Sequence, residues 1–401
     1  MTKNLLLLSY WFPPNNVIGA SRAFAIAKHF SEKGWKVTVI CVDSNSVSKD
    51  FSVDLSSFDI YRIPDTWLTQ FLNFKLGRSR LVRVLSALVR VVSLPDGLRS
   101  TTKQFEKIAE KIGEDRQFDV ILSTALPFSQ HAVACRIAQK TDTYLVLDNR
   151  DAWACNTYRR RLPFSCWLEK IYERRVLSNA DLISTISDGM SEHYRNTHPN
   201  LSARIRTVRN GVDHSEPKQA EPLVDSSGRL RIVYTGILYG EKRDITPALE
   251  AASRSGLPVS FDFYGSESDQ IQAFKAKFPK LDIVDNGRVS REKALDAQKN
   301  ASVLMVALGK DPSEKTFLPG KFFEYVGSGR PIIVLADEDY EICQIVRKYE
   351  LGIGTRDAKL ITSYLEGISS AAVAPRNNVP SQLTRSYQLD RLESEIVLSR
   401  S

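Results

Sequence analysis

The chain has 401 residues, and at roughly 100–200 residues per domain that length leaves room for two or three domains. Hydrophobic residues make up 42% and charged residues 25% of it, the shares of an ordinary globular protein with a full core. The net charge is +8 and sits in the first half: residues 1–215 carry 30 basic against 21 acidic side chains, the rest 25 against 26. Such a surplus suits nucleic acid, anionic lipid or a phosphorylated ligand, or is simply a solvated surface.

Taken in chain order, Asn4–Ser9 is an apolar run of the kind found in a buried parallel strand. A turn over Phe12–Gly19 leads to a helix over Ala20–Lys33, stopped by Gly34, and to a strand over Trp35–Val42. This is a βαβ unit, and the alternation continues. Strands are predicted at Val120–Ser123, Tyr144–Asp148, Leu182–Ile186 and Ile205–Val208, with helices at His131–Gln139, Cys166–Asn179 and Gly189–Tyr194. Residues 214–228 are rich in Pro, Ser and Glu and read as a linker. A second series follows, with strands at Leu230–Thr235, Val259–Tyr264, Leu281–Val284, Val303–Ala307, Pro331–Ala336 and near Gly352. Its helices are predicted at Thr246–Ser253, Asp269–Phe278, Arg291–Asn300, Gly320–Val326 and Tyr340–Tyr349. The expected fold is α/β, with two doubly wound Rossmann-like domains facing a cleft. We place their bounds at 1–213 and 229–380, with a terminal helix in 381–401 packing back on the first domain.

Segment 74–93 differs from its surroundings. Arg80, Arg83 and Arg90 lie on one side of a helical wheel and Leu81, Val84, Leu85, Leu88, Val91 and Val92 on the other. That layout suits an interfacial amphipathic helix and equally a surface helix packed on its own domain.

Five cysteines are scattered without a CxxC pair, which argues against a disulfide framework or a zinc site and for a reducing compartment. The apolar opening is too short for a signal peptide, and no window approaches the ~20 apolar residues of a membrane span. A cytoplasmic protein is expected.

Chemistry in doubly wound domains gathers at the carboxyl ends of strands, where helix N-termini offer N–H groups to anions. Four stretches fall there. In Gly236–Asp244 the glycines permit a tight turn, and Lys242 and Arg243 are placed to neutralise a diphosphate; a solvated basic loop is the plainer reading. In Glu314–Arg330, Lys321 and Glu324 share a helix face. Glu324 can accept from ribose hydroxyls, or the two form a simple i,i+3 ion pair. Gly19 opens the first helix and lets a ligand approach, but the GxGxxG of a dinucleotide site is absent. Asp148-Asn149-Arg150-Asp151 puts two carboxylates and a guanidinium at a strand end. Either Asp can orient or deprotonate an acceptor hydroxyl, or the group is a structural Asp–Arg network. His131 reads as a helix-start cap. No metal constellation, GxSxG or Walker motif is present, and no cofactor is expected.

In the order and spacing of these stretches the sequence resembles bacterial glycosyltransferases of family 4, in the branch that builds capsule, O-antigen and exopolysaccharide. The resemblance runs nearly end to end. It includes the FPP…G…R opening, STALPFSQHAVA, DNRDAW, NGVD, YTGILYGEKRD, NGRVSREKAL and PGKFFEYVGSGRPI. It implies a GT-B fold with a nucleotide-sugar donor on the second domain and a glycan or lipid-linked acceptor on the first, and metal-independent transfer with retention. It also implies that Lys242 and Arg243 meet the diphosphate, that Glu324 is the second Glu of an E-x7-E motif on the ribose, that loop Gly287–Ser290 with Val289 meets the base, and that Gly19 lies near the donor phosphates. A basic first domain then fits peripheral contact with an anionic inner membrane face. Thr316 stands where the first Glu of the motif belongs, with Glu314 two residues away, and Ile237 replaces the usual Arg of the Gly236 loop. Two rival functions remain at this point: a nucleotide-sugar epimerase of the same architecture, and a non-catalytic nucleotide-binding partner. A nucleic-acid partner is not expected, because the basic segment lacks interleaved aromatics for stacking.

Overall fold

Four consecutive leucines make the first strand. In β1 (Asn4–Ser9) Leu5 and Leu7 join the apolar cluster on one side of a sheet, and Leu6 and Leu8 the cluster on the other. All four are fully buried, each stabilising by about 1.5–3 kcal/mol. A computed structural model of the chain describes residues 2–44, 47–65, 96, 101–154, 163–213, 223–224, 228–238, 243–265, 268–370 and 376–399. Arg80, Arg83, Arg90, the rest of segment 74–93 and Lys242 lie outside the described residues.

Two units divide the chain, Met1–Arg209 with Leu389–Ser401, and Asn210–Gln388. In the first, β1 leads to α1 (Ile18–Glu32), β2 (Lys36–Asp43), β3 (Phe58–Pro64), α2 (Thr102–Asp115), β4 (Val120–Thr124), α3 (Ser129–Thr141) and β5 (Tyr144–Asn149). Then come α4 (Pro163–Leu177), β6 (Leu182–Thr185), α5 (Asp188–Thr197) and β7 (Ile205–Thr207). All seven strands are parallel, in the order β3-β2-β1-β4-β5-β6-β7.

The second unit runs β8 (Leu230–Thr235), α6 (Thr246–Ser255), β9 (Val259–Tyr264), α7 (Ser268–Lys277), β10 (Asp282–Asp285), α8 (Arg291–Lys299) and β11 (Val303–Ala307). It continues with α9 (Gly320–Ser328), β12 (Ile332–Leu335), α10 (Glu341–Lys348), β13 (Gly352–Gly354) and α11 (Ala358–Ser369), and the last helix, α12 (Arg385–Leu398), belongs from Leu389 onward to the first unit. Its six parallel strands follow the order β10-β9-β8-β11-β12-β13. Both sheets are therefore doubly wound, and strand order reverses beside β1 and beside β8, where such folds hold ligands.

β3, α2 and α11 are additions to the elements expected from sequence. β3 is an edge strand, half-exposed along most of its length and ending in Pro64, so it shows neither alternation nor an apolar run. In α2, Phe105, Ala109 and Ile112 turn inward at helical spacing among seven charged residues. The far end of α12 lays Leu389, Leu392 and Ile396 into the cluster that holds Ala23, Ile26, Ala27 and Phe30 of α1. Trp35 Nε1 donates to Glu393 at 2.9 Å and Arg206 Nε to Glu395 at 2.8 Å. Cys166 is disulfide-bonded, which the cysteine spacing did not suggest; Cys41, Cys135 and Cys343 are free and buried. Among the described residues no helix is long and apolar enough to cross a membrane.

Candidate functional site

In the second unit the site residues collect where strand order reverses. Gly236 follows β8 with φ +98°, and its N–H donates to Tyr264 O at 2.7 Å. Gly265 follows β9 with φ +88°, and its N–H donates to Gly287 O at 2.7 Å. Both lie in the left-handed region that favours glycine. Together they carry the ladder one step past the strands without side chains over the strand ends.

Lys321, in the first turn of α9, reaches under this turn. Its Nζ donates to Thr235 O at 3.0 Å and lies 3.6 Å from the centre of the Tyr234 ring. Burial, and then the nearby charge of Arg243, hold its pKa well below the usual lysine range, with Glu324 pulling the other way. The N-cap of α9 is Pro319, which makes no side-chain capping bond, so an anion is the natural partner of the first amides.

Glu324, one turn further on, does not pair with Lys321 among the described contacts. Its carboxylate meets Arg291 Nη2 at 2.9 Å and accepts from Gln298 Nε2 at 3.3 Å. Gln298 Nε2 also lies 3.3 Å from Thr235 Oγ1, which bonds Tyr325 Oη at 3.0 Å. The i,i+3 ion pair open from the sequence is thus replaced by a network that fixes the carboxylate against the end of β8. Arg291 and Gln298 were missed at the sequence level. Their signal is the i,i+7 spacing that puts both on one face of α8.

Arg243 is buried beside this group. Val289 is half-buried against the core behind α9. Thr316 ends a 3-10 turn, Pro312–Thr316. Glu314 is buried, and its carboxylate accepts from Gly309 N–H at 2.7 Å. That oxygen serves the turn after β11, not a ligand.

In the first unit the expectation that either Asp of the DNRD stretch can take a proton needs correcting for one of them. Asp148 is fully buried. Arg22 grips it bidentately, Nε at 2.8 Å and Nη2 at 2.6 Å. Thr124 and Ser184 hydroxyls donate to it at 2.8 and 2.7 Å. Burial alone would raise its pKa, but the Arg22 charge and these bonds win and hold it at about 2. With two donors on each oxygen, Asp148 has no lone pair for a substrate. Arg22 also donates to Val208 O at 3.0 Å, so the pair ties α1, β5 and the end of β7 together.

Arg150 turns its guanidinium over Gly19: a Cβ there would sit 2.9 Å from Arg150 Nη1. Its Nε donates to Ala125 O, and burial lowers its pKa to about 10, still charged at neutral pH. A cation therefore stands at the N-terminus of α1 through the absence of a side chain at Gly19. Asp151 is half-buried, and no hydrogen bond to its carboxylate is found among the described residues. His131 is not a helix cap but a buried neutral imidazole, bonded to Ser123 at 2.9 Å and Asn149 at 3.3 Å. Burial pushes its pKa down to about 4.

Residues 19–211 match the model of a family described as glycosyl transferase 4-like domain. That match takes in just under half of the chain. Three solved structures share the fold over the full length. A glycosyltransferase from Rickettsia africae ESF-5 has TM-score 0.63 at 13% identity, covering 100% of this chain and 99% of that one. Sucrose-phosphate synthase from Thermosynechococcus elongatus has TM-score 0.65 at 14% identity, covering 99% and 100%. The catalytic domain of starch synthase IV from Arabidopsis thaliana, bound to ADP and acarbose, has TM-score 0.66 at 10% identity, covering 100% and 99%. No curated protein matches the sequence. Two Rossmann-like units in this arrangement of strands are the GT-B fold, which the chain shares with these structures.

Proposed function

We propose that the chain is a glycosyltransferase that moves a sugar from a UDP- or GDP-sugar, bound by the second unit, to a glycan or lipid-linked acceptor bound by the first. The transfer is retaining and metal-independent, and serves bacterial surface polysaccharide synthesis. One observation carries the reading. At the end of β8, a glycine turn, a buried ammonium (Lys321), Arg243 and an anchored carboxylate (Glu324) stand together.

The chemistry follows from what those groups can do. Glu324 accepts from the ribose diol. Lys321, Arg243, Lys242 and the amides of α9 take the growing negative charge of the departing diphosphate, which is where fixed positive dipoles lower a barrier most. In the first unit, Arg150 beside Gly19 offers a cation of its own to an anionic group. Asp151, with open lone pairs, orients the acceptor hydroxyl and receives its proton. Val289 is assigned to the base and Thr316 to the donor sugar on the resemblance. Contact with an anionic membrane through segment 74–93 belongs to the same reading, with Arg80, Arg83 and Arg90 as its charges.

The test is a thermal-shift panel of UDP, GDP, CMP, TDP and their sugar conjugates, on wild type and Glu324→Ala. Ligand at ~100 times its dissociation constant adds about 2.7 kcal/mol of stability. A shift with one nucleotide, weakened in the variant, is expected. No shift with any of them removes the donor site. Conversion of the donor without an acceptor points instead to an epimerase, and tight nucleotide binding without turnover to a non-catalytic partner.

A further inference from the structure

Helices α1 and α12 meet at a polar cluster that transfer chemistry does not use. Leu389, Leu392 and Ile396 of α12 pack into the apolar cluster that holds Ile26 and Phe30 of α1. That packing sets Asp390 and Glu393, one turn apart on α12, beside His29 near the end of α1. All three residues belong to the first unit. His29 Nε2 faces one carboxylate oxygen from each acid, Asp390 Oδ1 at 3.8 Å and Glu393 Oε2 at 3.7 Å. Both distances are too long for a hydrogen bond. His29 is 8% exposed, and its Nε2 is buried with no hydrogen-bond partner among the described residues. A buried polar atom left in that state costs stability unless something fills the gap. Burial lowers the His29 pKa against the opposing pull of Asp390 and Glu393. The ring is therefore neutral at neutral pH, the form that ligates a metal.

We propose that His29, Asp390 and Glu393 form a binding site for a divalent transition cation of the zinc class. One imidazole nitrogen and two carboxylate oxygens are ligands that zinc takes at about 2.0–2.2 Å. Magnesium and calcium prefer oxygen alone, so the imidazole selects against them. The three ligand atoms lie within 4.8 Å of one another. Around a tetrahedral ion they stand about 3.3 Å apart, so closure asks for about 1 Å of movement, which the partly exposed side chains of Asp390 and Glu393 can supply. Water takes the fourth position. Trp35 Nε1 donates to Glu393 Oε1 at 2.9 Å and so holds the other oxygen towards His29, as an orienting hydrogen bond does behind a metal ligand. Lys33 Nζ lies 2.6 Å from Asp390 Oδ1, and both side chains are 46% exposed. Its ammonium competes with the metal and can turn into solvent. His29 is roughly 15 Å from Gly19 along α1, so the ion takes no part in sugar transfer. It ties the last helix to the first, and the proposal stands apart from the transferase reading.

The experiment uses the full chain, stripped with EDTA and dialysed free of it. Calorimetric titration with zinc chloride is expected to show a zinc site that both ligand variants lose, and zinc to raise the melting temperature. Magnesium chloride is expected to do neither. His29→Gln and the double variant Asp390→Asn/Glu393→Gln should each weaken zinc binding by about 100-fold or more, since a group that only orients a ligand is worth about 10–100-fold. Trp35→Phe should weaken it by about 10-fold, and Lys33→Met should tighten it by removing the competing ammonium. Cobalt(II) in place of zinc should give a visible absorption band that both ligand variants lose. The double variant keeps the shapes of its side chains, so its melting temperature in EDTA reports on the fold even where His29→Gln fails to fold. No zinc binding by wild type overturns the proposal. So does equally tight binding by the double variant, which places zinc on other histidines or cysteines. An equal response to magnesium overturns it as well, as the mark of an acidic patch. A double variant that melts lower in EDTA, with a wild type indifferent to zinc, reduces the cluster to an ion pair between His29 and its carboxylates.

Discussion

Asp148 and Asp151 stand three residues apart, and their surroundings give them opposite chemistry. Asp148 is the counter-charge of a buried arginine. Replacing it with Asn leaves Arg22 uncompensated, and urea unfolding should show a loss of about 3–5 kcal/mol. Asp151→Asn should unfold within about 0.5 kcal/mol of wild type, bind nucleotide normally, and slow transfer by about 10²-fold or more. A large stability loss in the Asp151 variant would assign it to the scaffold as well. Lys321 separates binding from stability in the other direction. Its ammonium is withdrawn from water, with a carbonyl and a ring as its near contacts. Lys321→Met is expected to melt no lower than wild type without ligand, because an apolar chain of similar shape carries no desolvation cost. Its nucleoside diphosphate affinity should nevertheless fall by 10-fold or more, read by calorimetry. Retained affinity would remove Lys321 from the phosphate site.

At the scale of elements, sequence and structure part company where burial is uneven. Strands β1 and β11 are buried on both faces and read as apolar runs, so they were legible. β3 is an edge strand and was not. The start of α9 was legible from Pro319 and Gly320, and of the two readings open for Glu324 the i,i+3 pair with Lys321 is not what the described contacts show. The partners of Glu324 come instead from α8, which no spacing within α9 can reveal. The terminal helix gives the clearest energetic prediction. Leu389, Leu392 and Ile396 are nearly fully buried, each worth about 1.5–3 kcal/mol. Removing residues 385–401 should lower the melting transition of the first unit by several degrees or abolish it. An unchanged transition would show that the α1 face tolerates exposure.

For the whole molecule, the buried titrating groups set the acid limit. His131 has its folded pKa near 4, below the 6.5 of an exposed histidine. The unfolded chain takes the proton first, so stability falls as pH drops from about 6.5 to about 4, by roughly 3 kcal/mol. Asp148, held near 2 against the usual 3.8, supplies stability above about pH 4 that is lost between about 4 and 2. Unfolding free energies measured from pH 8 to 3 should therefore decline in two stages, and His131→Gln should flatten the upper one. A variant with the wild-type profile would assign that stage to another group.

The sequence by itself determined two doubly wound units, because runs of buried leucine, isoleucine and valine alternating with amphipathic segments admit few other packings. It also placed Gly236, Arg243, Lys321 and Glu324 at strand ends and helix starts, since those positions are one-dimensional consequences of the alternation. Only the tertiary structure decided which polar groups are used up in holding the fold. Asp148 and Glu314 look like free carboxylates in the sequence, but each is bonded to a residue or turn on another strand or loop. Asp151 and Glu324 differ from them by what the fold brings near, a property of distances between segments that no local pattern encodes.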